Sequence, residues 1–415
     1  MSIQVLVEGE FPEYSATPED FGMITGSINT DAKITVPFVN NSAYAVTDLD
    51  YVVSVDGVAG SEEHTTFSPS VGVGSKGSFK VSVPCGSVEA KKSIKVEITK
   101  VNGHDNESKD KAAEGYVGVS STQFTRNMVI EEFTTEKCPN CPRVAGYLHE
   151  YLEGADLSRV AAVCHHSAYY TDWLTQPCDQ ELTFLFNDAG STFAPAVMFN
   201  REPDFDSYYL KGKKDNVTIP GGADEFGTIV EYYLTQTLAN AKLDMQVVPN
   251  ADKSKVTLVI KGEANNIYDT DNALLTVYVT EDNVKAQAQS GAQGTYKHHH
   301  VIRAYNSTWG DKVTWDGTSF TATYDYNLDS SWKQEDIKFV AFLNKHNAND
   351  PLDNRIENSI NVSLSATNGV EGVSTNNDAV EVARYNAAGQ RIYGQQKGLN
   401  IVKLSDGRTL KVIVK

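Results

Sequence analysis

Five cysteines, at positions 85, 138, 141, 164 and 178, have the widest chemical range in the chain, and two of them form Cys138-Pro139-Asn140-Cys141. That spacing suits a redox-active dithiol, an inert structural disulfide, or half of a zinc site. Zinc needs two more ligands; no second pair stands at matching spacing, although Cys164, His165 and His166 could contribute. The context weighs towards a dithiol. Residues 128–135 are a β-rich apolar run, and from Pro142 to Leu152 the apolar residues Val144, Ala145, Leu148, Tyr151 and Leu152 recur at helical spacing. Pro142 suits the first turn of that helix, which puts Cys138 at its N-terminus, where unpaired amides favour a thiolate. Lys137 adds positive charge there, while the acidic chain as a whole works weakly the other way.

The elements that must position this pair follow in order. Residues 159–165 read as an apolar strand of a covered parallel sheet, 179–186 as a helical segment, and 193–199 as a proline-led strand. Residues 223–239 carry Phe226, Ile229, Val230, Tyr233, Leu234 and Leu238 on one stripe, an amphipathic helix with an acidic first turn. His165 or His166, at a strand end, could assist proton transfer, and Glu131 and Glu132 on the leading strand point opposite ways. Cys164 and Cys178 could pair across the intervening loop, leaving Cys85 free, or stand as two separate buried thiols.

On these residues, the segment from about Asn127 to Phe199 resembles a thioredoxin-like domain. The resemblance implies that Pro195 is the cis-proline facing the dithiol, with Ala194 and Pro195 offering backbone groups to an extended thiol substrate. It implies that Cys138 attacks a substrate disulfide and that Cys141 resolves the mixed disulfide, so Cys138, Cys141, Pro195 and His165 are the candidate catalytic residues. The pattern also departs from that family: Glu136-Lys137 stands where a Trp usually precedes the first cysteine, and Pro139-Asn140 replaces Gly-Pro.

A chain of 415 residues is too long for one ordinary core. With 36 basic and 54 acidic side chains its formal charge is −18, which argues against nucleic acid as a partner. Residues 1–105 show alternating strands with polar turns and read as an immunoglobulin-like β-sandwich. Residues 101–119 are charged and apolar-poor, a linker or long loop from which Tyr116-Val117-Gly118-Val119 could return to a sheet. The dithiol domain is expected over 120–241. From Leu243 the period changes to two, giving about seven strands and a second sandwich over 242–364. His298, His299 and His300 read as a polar strand edge, since alternation lets a strand present at most two of them as ligands, and Asp269–Asn272 reads as a turn because it lacks the glycine and glutamate of a calcium loop. No cofactor and no metal are expected. Residues 379–415 form a small β module with seven Lys/Arg against two Asp/Glu. The expected fold class is thus multidomain α+β: a thioredoxin-like α/β domain flanked by immunoglobulin-like and β-sandwich domains.

The tail, with Gly389-Gln390-Arg391, Gly398-Leu399-Asn400-Ile401-Val402-Lys403 and a Lys411-Val412-Ile413-Val414 end, resembles the C-terminal sorting module of secreted Bacteroidetes proteins. The whole order, including Glu132-Phe133-Thr134-Thr135, His165-His166, Val301-Ile302-Arg303-Ala304 and Trp332, resembles the Bacteroidetes outer-membrane adhesin family of the 28-kilodalton surface lipoprotein type. That resemblance implies a cell-envelope, outer-membrane or extracellular location, with outer-membrane association through a removed leader or lipid anchor. No leader, lipobox cysteine or long apolar run is visible. Two functions are therefore expected to compete: thiol–disulfide exchange on extracytoplasmic proteins, with a protein thiol or disulfide as partner, and non-enzymatic adhesion or binding of a surface ligand on a scaffold. They differ in whether Cys138 is open. Tyr169, Tyr170 and Trp173, beside the dithiol, add a weaker option of carbohydrate binding if they are exposed.

Overall fold

Alternating apolar and polar residues dominate the chain, and the computed structural model is correspondingly mostly β, with 49% strand and 12% helix. It describes residues 12–186, 192–202, 216–365, 381–386, 391–392, 396–404 and 409–414. In the N-terminal part, a three-stranded sheet of Ala16–Pro18, Asp31–Asn40 and Lys76–Pro84 faces a larger sheet built on Met23–Ser27, Val46–Val55, Val58–Val71, Ala90–Val101 and Ala112–Ser120. The inward-pointing Ile34, Val36, Phe38, Leu49, Phe79, Val81, Ile94 and Val96 fill the space between. The charged stretch read as a linker supplies Ala112–Ser120, which lies between Met23–Ser27 and Ala90–Val101.

The expected α+β class with a thioredoxin-like α/β domain is corrected. Met128–Phe133, Val160–His165 and Ala196–Phe199 do not form a sheet of their own. They are three strands of an eight-stranded sheet that continues through Val301–Tyr305, Leu274–Glu281, Ile337–Asn344 and Ile356–Ser363, with Asp311–Lys312 beside Leu274–Glu281. The joint is parallel: Cys164 lies opposite Val301, and the Cys164 N–H donates to the His300 carbonyl at 2.8 Å. The physical reason is local: the buried Cys164 backbone needs a partner at this edge of Val160–His165, and the one residue pair Cys164–Val301 supplies it.

Two kinds of cover lie on this long sheet. The helices Cys141–Gly154 and Ala223–Gln236 bury Val144, Leu148, Phe226 and Val230 against Met128, Ile130, Ala162 and Phe199. Over the other half, a three-stranded sheet of Ala241–Pro249, Lys255–Ala264 and Ser319–Asn327 packs Leu243, Leu258 and Ile260 against Val277, Phe339 and Leu343. The segment read as a helix over 179–186 is instead a short α-helix, Pro177–Glu181, followed by a 3-10 turn, Leu182–Leu185. In the tail, Arg391–Ile392, Glu381–Asn386, Gly398–Leu404 and Thr409–Val414 form a four-stranded antiparallel sheet in that spatial order. The Gly389-Gln390 part of the tail pattern lies outside the described residues.

Candidate functional site

The strand Met128–Phe133 delivers the chain to a tight turn ahead of the Cys141–Gly154 helix. The Cys138 N–H donates to the Thr135 carbonyl at 3.0 Å, and the Lys137 N–H to Thr135 Oγ1 at 2.9 Å. Asn140 is the cap residue and Pro142 occupies the first turn. The sulfurs of Cys138 and Cys141 lie at disulfide-bonding distance, with Cα atoms 5.5 Å apart. The exposure that distinguishes the two expected functions is low at both sulfurs: Cys138 is 0% exposed and Cys141 1%.

Packed against the turn that carries them is a segment about 150 residues later in the chain, anchored on Glu136. The Glu136 carboxylate accepts N–H groups from Gln287 at 2.7 Å and Ala288 at 3.3 Å, and the Trp173 indole N–H at 3.0 Å. Its backbone carbonyl accepts the Ser290 N–H at 2.7 Å, and Gln289 Nε2 donates to the Cys138 carbonyl at 3.0 Å. Gly291, at φ +78°, lies so close that a Cβ there would fall 2.0 Å from the Pro139 carbonyl oxygen. Only a residue without a side chain fits this left-handed position.

The Ala194–Pro195 peptide is cis. Pro195 is buried and precedes Ala196, which pairs with Phe133, so it sits at the same end of the sheet as the cysteine turn. His165 is not brought to the sulfurs. It projects to the opposite face, where Nε2 lies 3.2 Å from Glu131 Oε1 and Nδ1 lies 2.9 Å from Asp179 Oδ1. Arg201 closes this buried chain with two hydrogen bonds to Glu131, at 2.7 and 2.8 Å. Asn200 and Arg201 both have φ +52°, a local turn that drives the guanidinium back under the sheet.

Electrostatics follow from these partners. Burial opposes ionisation of Glu131, but Arg201 and then His165 outweigh it and bring its pKa down to about 2. Burial likewise opposes charge on His165, and Asp179 and Glu131 overcome it, holding its pKa above the usual imidazole value. Glu132 faces the other way, and burial alone pushes its pKa up to about 8. Its Oε1 has no hydrogen-bond partner among the described residues. It shares a cavity of about 170 Å³ with Cys164, Pro142, Leu148 and His298, and burial followed by Glu132 itself raises the Cys164 thiol well above its usual range.

Cys164 and Cys178 do not pair: both, like Cys85, are buried free thiols. Among the described residues no group of three or more His, Cys, Asp or Glu side chains is arranged to hold a metal ion. Glu136, Arg201, Asp172, Asp179 and the 287–291 segment were not singled out by sequence reasoning. The position of Glu136 beside Cys138 was a signal; Gln287–Gly291 carries only loop composition and gave none.

Comparison with known proteins bears on both fold and location. The model of the Outer membrane protein Omp28 family matches residues 185–368. That match supports a cell-envelope location at the outer membrane, as the resemblance over this part of the chain implied. Among solved structures the chain is similar to HBP35 of Porphyromonas gingivalis, at 22% identity and a TM-score of 0.50, over 70% of this chain and 99% of that one. It also matches the CARDB domain of the PF1109 protein from Pyrococcus furiosus, at 17% identity and a TM-score of 0.22, over 27% of this chain and 97% of that domain. No curated protein matches. Among the described residues no helix is long and apolar enough to cross a membrane.

Proposed function

We propose that the chain is a non-enzymatic surface binding protein of the cell envelope, in which Cys138 and Cys141 form a closed staple under the 287–291 strap. The observation that carries this reading is the complete burial of Cys138, because thiol–disulfide exchange needs a sulfur that a partner can reach in line. Maleimide labelling of the oxidised, folded protein in mild reductant tests it. The expected result is no label on Cys138 or Cys141 until the chain is denatured. Rapid labelling of the native protein, with a trapped mixed disulfide to a peptide thiol, would overturn the staple.

Glu132 favours a second reading, exchange gated by the strap. Its carboxyl, on the sheet face beneath the helix that starts at Cys141, titrates near the pH of a working proton carrier. With the strap displaced, Cys138 thiolate would attack a substrate disulfide and expel one substrate thiolate. Cys141 would then attack Cys138 of the mixed disulfide, releasing the second substrate thiol and leaving the Cys138–Cys141 disulfide. Pro195 would hold the extended substrate chain. Gly291→Val, which cannot keep the strap seated, separates the two readings when an added dithiol reductant returns the Cys138–Cys141 disulfide to the dithiol after each cycle: gated exchange predicts that the variant speeds reduction of a small disulfide above the rate of the reductant alone, and a staple predicts no acceleration.

A further inference from the structure

Tyr169, Tyr170 and Trp173 are 43%, 51% and 44% exposed, and three large aromatic side chains within five residues of sequence left in water call for a reason other than packing. The loop that carries them is pinned. Thr175 Oγ1 donates to the His166 carbonyl and accepts the Asp172 N–H, Asp172 Oδ1 accepts the Leu174 N–H, and Thr192 Oγ1 donates to the Ala168 carbonyl. Asp179 Oδ2 accepts the N–H groups of His166 and Gln176, holding both ends. The aromatic exposure is therefore built into a fixed loop.

Beside it opens a cavity of about 350 Å³. Tyr169 and Tyr170 form one wall, their rings 4.6 Å apart and inclined at 61°. The rest of the lining is polar: hydroxyls of Ser167, Thr171 and Thr183, the Gln180 amide and the Lys137 ammonium, which lies 5.4 Å from the Tyr170 ring. Among the described lining residues Ala168 is the one aliphatic side chain, so that lining offers no apolar pocket of the kind that anchors a peptide. Aromatic faces beside convergent hydroxyl, amide and ammonium groups suit a ring with an apolar face and a polar rim. The charge is also selective. In a chain of net charge −18, the described lining carries one cation and no carboxylate, which favours an anionic ligand.

We propose that this cavity is a saccharide-binding site that prefers sugars bearing a carboxylate, such as uronic-acid oligomers. The proposal rests on the reading of the chain as a surface binding protein and names the ligand class. Isothermal titration of the oxidised full chain with a galacturonic-acid hexamer, and with an uncharged maltohexaose, tests it. The expected result is saturable binding of the acidic oligomer, weakened about tenfold or more by Tyr170→Ala and by Lys137→Gln, both at exposed positions where folding is checked by circular dichroism. No saturable binding, equal binding of maltohexaose, binding indifferent to both substitutions, or binding of an acidic peptide alone would overturn it. The titration leaves the cysteine pair untouched, so its outcome is independent of the maleimide experiment.

Discussion

Glu131 and Glu132 are neighbours on one strand, both sealed from water, yet one has its pKa lowered to about 2 and the other raised to about 8. Burial is common to both, so burial does not decide the charge. The partner does: on one face of the sheet Arg201 and His165 meet the carboxylate, while on the other Glu132 Oε1 has no hydrogen-bond partner among the described residues. The alternation of a β-strand has placed an ion-paired site and an uncompensated site back to back, one residue apart.

The comparison breaks most sharply if the cation is removed. Arg201→Met leaves Glu131 buried without its main counter-charge, and a loss of about 3–5 kcal/mol is expected in chemical denaturation at pH 7. Glu132→Gln should do the opposite. The folded carboxyl keeps its proton up to a pKa of about 8, whereas the unfolded one releases it near 4.5, so native stability falls as pH rises between these values. The Gln variant lacks that loss and should exceed the native protein by about 3 kcal/mol at pH 7, with the advantage gone at pH 4. Glu131 has the reverse dependence: its contribution is present above pH 4.5 and is lost as pH falls towards 2. A surface pair sharpens the contrast at the small end. Lys76 and Glu19 meet at 3.0 Å in the open, and Lys76→Gln should cost less than about 1 kcal/mol by the same measurement.

The strands were legible in the sequence because each carries its own period: Asp31–Asn40 and Lys255–Ala264 alternate buried and exposed residues nearly without error. The cysteine turn was legible too, since Pro142 and the apolar spacing after it are local signals. Pairing between distant strands was not. Val160–His165 is apolar enough for any buried sheet and Val301–Tyr305 buries only its first two residues, and nothing in either names the other, so one continuous sheet was read as two units and the class came out wrong. The surroundings of Cys138 were hidden for the same reason, because the loop packed against its turn is a Gln/Ser/Gly segment supplied from across the chain. The ion chain from Asp179 to Arg201 joins four segments that only the tertiary fold brings together.

The parallel seam between Cys164 and Val301 also constrains how the protein comes into being. The strand before it leaves the ribosome well over a hundred residues ahead of its partner, so during synthesis Val160–His165 waits without its partner at Cys164. The cysteine turn and its supporting strands cannot be excised as a working fragment, and the final strand, Ile356–Ser363, must be made before the sheet is whole. A nascent chain with that much non-local pairing is one that a cell has to keep from sticking to its neighbours until nearly all of it has been made.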